Sequence, residues 1–157
     1  MLAEAVIELQ NGNEESAVNK LNDISTKFDD TNSSELANLK LAKKYLNEND
    51  YSNAEKFFKK VVNDGGNIDF VLAAGFSGLG DCSFNSGNYS EAAKYYKKAS
   101  NASPIESQKA EFLFSAAISY YEMNEVNEFK KILKTITDDY KETRINTKAE
   151  KLLATMK

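Results

Sequence analysis

The chain has no histidine among its 157 residues. That removes the usual general base, the usual zinc ligand and any Ser-His or Cys-His nucleophile pair. The single cysteine, Cys82, excludes an internal disulfide and sits within a helical apolar stripe. Free cysteine in that setting reads as a small packing residue. Acidic residues are plentiful, but the neighbouring pairs Asp29-Asp30 and Asp138-Asp139 read as turn and cap residues rather than a catalytic dyad. Gly75, Gly78 and Gly80 have no preceding strand and no following GKS or GKT, so they do not make a phosphate loop. On a helix face they would let two helices approach closely. No cofactor or metal motif is present, and the residue set points away from an enzyme.

Charge narrows the partners. The net charge is -4 and the isoelectric point about 5.0. The Lys pairs Lys43-Lys44, Lys59-Lys60, Lys97-Lys98 and Lys130-Lys131 are interspersed with acids and read as solvated faces, not a nucleic-acid stripe. Arg144 is the only arginine, which argues against bidentate phosphate or carboxylate clamps. No apolar run reaches the ~20 residues that span a bilayer. The opening MLAEAVIELQ lacks the basic flank and cleavage region of a secretory signal. Membrane contact would come only through an anchor upstream of Met1.

The elements that position these residues are helices. One proline and seven glycines leave few breakers, and Ala, Leu, Lys and Glu outweigh β-branched residues. Apolar spacing predicts helical hairpins over about 2–28, 33–64, 68–101 and 104–138 of one domain, 1–157, with a final helix over about 141–155. Asn32 with Glu35 fits a capping box, and Asn88 with Glu91 a second cap. Gly65 or Gly66 suits a left-handed C-cap. Ser103-Pro104-Ile105-Glu106 fits Ser as N-cap, Pro at the first helical position and Glu at N3.

The hairpins repeat. Asn13-Glu14-Glu15-Ser16-Ala17, Asp50-Tyr51-Ser52-Asn53-Ala54, Asn88-Tyr89-Ser90-Glu91-Ala92 and Glu125-Val126-Asn127-Glu128-Phe129 align, with final residues 37, 38 and 37 apart. A fixed period of this size means stacked supersecondary units that bury their apolar faces on one another. Residues 73–104 resemble a tetratricopeptide repeat (TPR). Leu79 and Gly80 stand at that family's Leu-Gly pair, Gly87 at its turn glycine, Tyr89 at its turn aromatic and Ala92 at its small helix-contact residue. Tyr96, Ala99 and Pro104 match its late aromatic, alanine and proline. The second hairpin matches more weakly through Ala42, Tyr45, Tyr51, Ala54, Phe58 and Val61. In the fourth, Phe129 replaces the small residue. The period exceeds the family's ~34 residues by about one helical turn, assigned here to the start of each first helix.

The resemblance implies an all-α right-handed solenoid with a capping helix, acting as a non-catalytic scaffold in protein-protein interaction. It implies a concave groove lined by first helices through Leu39, Lys43, Leu46, Ser77, Asp81, Phe84, Asn85, Phe114, Ile118 and Tyr121, with Leu36, Asn47, Ala74, Glu111 and Glu122 beside them. The partner would be a helix or extended segment of another protein. The same stripe could instead pack against neighbouring hairpins, because periodicity does not separate the two. The long period, the charged last helix and the phrase GLGDCSFNSGNYSEAAKYYKKAS resemble membrane-anchored TPR proteins of the bacterial cell envelope, which implies the extracytoplasmic (periplasmic) side of a membrane; a cytoplasmic location is the alternative. Aligning Ala17 with Ala92 puts the first position of repeat one before Met1, so that repeat is expected to be truncated. Leu2, Val6 and Leu9 would then serve the alternative function, a homo-oligomer formed by self-association of a terminal hairpin.

Overall fold

A computed structural model describes residues 1–28, 31–63 and 68–156. Among these the chain is all-α: α1 (Leu2–Gln10), α2 (Glu14–Lys27), α3 (Asn32–Asn47), α4 (Tyr51–Asn63), α5 (Asp69–Asn85), α6 (Tyr89–Ala102), α7 (Glu106–Glu122), α8 (Val126–Asp139) and α9 (Arg144–Thr155). Each helix packs on the next in chain order, α3 also touches α5, and α7 also touches α9. This nearest-neighbour stacking is that of a solenoid of helical hairpins. Asp29-Asp30 and the C-cap expected at Gly65 or Gly66 lie outside the described residues.

The four hairpin turns share one geometry. Gly12, Asn49, Gly87 and Asn124 all take positive φ, at 79°, 59°, 77° and 60°. In each turn the N–H of that residue donates to the carbonyl three residues back. The next N–H donates to the carbonyl five residues back, as in Asp50 to Tyr45 and Asn88 to Ser83, at 2.9 and 2.8 Å. This is the Schellman closure, which needs a left-handed residue and therefore uses Gly or Asn. At the last three turns the helix that follows is shorter than the one before. α3, α5 and α7 have 16, 17 and 17 residues, while α4, α6 and α8 have 13, 14 and 14.

Two helix starts differ from the sequence expectation. The capping box of α3 uses Thr31 and Ser34, not Asn32 and Glu35. Thr31 Oγ1 accepts from the Ser34 N–H, and Ser34 Oγ accepts from the Thr31 N–H, both at 3.2 Å. Glu35 is turned inward and fully buried. The α7 helix begins at Glu106 with Ile105 as N-cap, so Pro104 precedes it instead of opening it. Ser103 is already the C-cap of α6, and its hydroxyl accepts from the Ile105 N–H at 3.2 Å, inside the connection. Asn88 holds the N-cap position of α6 without a side-chain cap bond.

The core divides into two clusters. One gathers α1 to α5 around Leu21, Ile24, Leu41, Phe58, Val61 and Leu79. The other gathers α6 to α9 around Tyr96, Phe129, Leu133, Ile136 and Ile145. Helix α5 lies between α4 and α6, and its glycines set both distances. A Cβ at Gly78 would stand 2.1 Å from Phe58 Cζ, and one at Gly80 would stand 2.7 Å from Tyr96 Cδ1. The three glycines thus serve two opposite neighbours, Gly75 and Gly78 facing α4 and Gly80 facing α6.

Candidate functional site

First helices α3, α5 and α7 border a cavity of about 390 Å³. It brings together Leu39, Lys43, Leu46, Ser77 and Asp81, with Ala74 and Glu111 from the same set of expected positions. Phe58 of α4 reaches its floor beneath Gly78. Leu39 is buried, Leu46, Ala74 and Ser77 are half-buried, and Lys43 stands exposed at the rim. The surface is apolar with charge at its edge, the chemistry of a site for another protein's side chains.

Phe70 and Phe112 also line this cavity. Phe70 is 53% exposed. Sequence reasoning missed it because it lies in the extra turn that precedes the first repeat position. The signal was available: residues 70, 74, 77 and 81 fall on one helix face. Phe112 of α7 is half-buried.

Asp81 is the ionisable group set deepest in the groove wall. Its Oδ1 accepts a hydrogen bond from the Tyr96 hydroxyl at 2.7 Å. Burial pushes its carboxyl above the ordinary aspartate value, and the Tyr96 bond works in the opposite direction. The same burial, with the Asp81 charge beside it, raises the Tyr96 phenol. Tyr96 therefore stays protonated and donates.

The remaining expected positions lie outside the cavity. Asn85 is exposed, and its amide donates to the Asp81 carbonyl at 2.8 Å, so it closes the end of its own helix. Phe84 is half-buried, packs against the C-terminal core and meets the Tyr89 ring edge-on at 5.1 Å. Phe114 and Ile118 join the same core cluster as Ile145 and Ala149 of α9. The capping helix packs on α7, so the stripe that would line a further stretch of groove is used in packing. Tyr121 is 54% exposed at the hairpin end, its ring tilted on Phe129 at 5.2 Å. Phe129, the large residue at the helix contact, is itself buried.

A larger cavity of about 870 Å³ lies elsewhere, between α4 and α6 over the end of α5. Tyr51, Glu55, Lys59, Cys82, Tyr89 and Tyr95 are among its lining. Sequence reasoning did not find it. Tyr51 and Tyr89 occupy equivalent repeat positions, and that recurrence was the visible sign. Lys59 is occupied with Glu55 at 2.7 Å. Burial, then the nearby Asp81 charge, pushes the Cys82 thiol up to about 12, so it remains a thiol at neutral pH. This cleft is polar and lacks the exposed apolar anchor of the groove.

No described helix is long and apolar enough to cross a membrane. Among the described residues, no group of three or more His, Cys, Asp and Glu could hold a metal ion. No curated protein matches the chain. Residues 76–106, which run from α5 through α6 to the start of α7, match the family model described as Tetratricopeptide repeat. That match lies in a stack of hairpins whose turns repeat one geometry, so the chain carries a tetratricopeptide repeat across α5 and α6.

Proposed function

We propose that the protein is a non-catalytic adaptor that holds a segment of another protein in the groove between α3, α5 and α7. The observation that carries this reading is Phe70, a large apolar ring left 53% exposed at the mouth of a formed cavity. Exposed aromatic residues beside pockets are the usual anchors of protein interfaces. The test is Phe70→Asp. Because the ring is exposed, the variant is expected to keep its helical circular dichroism and to melt within a few degrees of wild type. Capture of partner proteins from the native cells is expected to fall at least tenfold. Unchanged capture by a folded variant contradicts the groove.

An envelope location belongs to the same proposal and is supported by the sequence resemblance of the α5–α6 hairpin and the long repeat period. Protease added to intact and to permeabilised native cells tests it. Digestion that requires opening the cytoplasmic membrane rules out the extracytoplasmic side.

A second reading, self-association, is favoured by the N-terminal edge. Met1, Ile7 and Phe28 are 57%, 54% and 45% exposed, and Met1 and Phe28 border a cavity of about 300 Å³. Of the residues expected there, Leu2 and Leu9 pack against the N-terminal core and Val6 is half-buried. A monomer in sedimentation at high concentration removes this reading.

A further inference from the structure

Glu111 of α7 lines the groove on one side and a second cavity, of about 410 Å³, on the other. Across that cavity stand Arg144, Lys148 and Lys151 of α9. Their spacing of four and three residues puts them on one helix face. All three are exposed, and none makes an ion pair among the described residues. Several other cations of the protein do: Lys44 with Glu48, Lys59 with Glu55, Lys94 with Glu91 and Lys109 with Glu106. A capping helix needs only a polar outer face. This one gathers three unpaired cations, including the chain's only arginine, at a cavity whose sole acid is Glu111.

We propose that this cavity is a second compartment of the groove and receives acidic side chains of the bound segment. The inference rests on the groove reading above. The two compartments share Glu111, so one segment can occupy both: an apolar residue against Phe70, then acidic residues along α9. Glu111 fixes that arrangement, because its charge repels acids at the junction and leaves the α9 wall as their place. A protein segment fits better than a nucleic acid. The basic cavity shares Glu111 with an apolar compartment, and the chain as a whole is acidic.

The test uses a library of random peptides of about 12 residues displayed on phage, selected against the full chain. Selected sequences are expected to carry one or two large apolar residues followed by Asp and Glu. Their affinity is expected to fall roughly tenfold or more in Arg144→Glu/Lys148→Glu/Lys151→Glu, the loss of a few exposed charge pairs. It should also weaken with added salt. The triple Gln variant, which removes charge without adding acid, is expected to lose affinity in the same direction and to melt like wild type. Peptides without acidic enrichment, insensitive to both triple variants yet lost in Phe70→Asp, overturn this proposal and leave the groove standing. Peptides insensitive to Phe70→Asp as well, or no selected peptide at all, overturn both. Displacement by single-stranded DNA as effective as by an acidic peptide overturns the proposal in favour of a general polyanion surface.

Discussion

Asp81 lines the groove while its Oδ1 is tied inward to the Tyr96 hydroxyl. Its folded-state pKa is raised by burial, so the native state binds more protons than the unfolded chain between the ordinary aspartate value and that raised value. Its contribution to stability is fully present below the ordinary value and is lost as pH rises through the raised one. Asp81→Asn keeps an oxygen for Tyr96 and removes the buried charge. Its melting temperature relative to wild type is therefore expected to climb as pH rises from about 4 to about 7. Thermal melts across that range check this, and a pH-independent difference contradicts it. The position of Asp81 was legible from the repeat alignment, which also named Leu39, Lys43, Leu46 and Ser77. The direction of the Asn85 amide was not, because a helix-end Asn can serve its own backbone as readily as a partner. Phe70 was overlooked because the family's repeat numbering starts after the turn that carries it.

At the scale of elements, the turns and the glycine-bearing helix set the architecture. The period of 37 and 38 residues was legible because each return helix opens with a short phrase that aligns with the others. The left-handed residue that makes each phrase a turn was legible at Gly87 but not at Asn49 or Asn124, where an ordinary side chain adopts the same φ. Helix starts were less legible, since Thr31, Asn32, Ser33 and Ser34 can each cap and only the packed chain selects one. Helix α5 offers a sharp test of the close approach. On an exposed face, Gly→Ala in a helix gains about 1 kcal/mol. At Gly78 the added methyl would meet the Phe58 ring, which is only 1% exposed and hemmed in by the core. Gly78→Ala is expected to destabilise the protein by about 2 kcal/mol, the cost of overpacking a filled core, read from urea unfolding. A gain in stability would mean that α4 and α5 do not sit this close.

At the scale of the whole molecule, the all-α hairpin stack followed from length, composition and period alone, because those depend on residue types averaged over many positions. What composition could not reveal is where the inner surface stays open. The capping helix α9 turns part of that surface into core through Ile145 and Ala149, and leaves the α3–α5–α7 groove open beside it. Two cavities then compete for a partner, the groove and the larger cleft between α4 and α6. A photo-crosslinking amino acid placed at Ser77, in the groove, or at Ser90, in the cleft, tells them apart in native cells. The groove account predicts a discrete protein adduct from position 77 that disappears when Phe70→Asp is added, and no such adduct from position 90. An adduct from position 90 alone, or one from position 77 that survives Phe70→Asp, would contradict it.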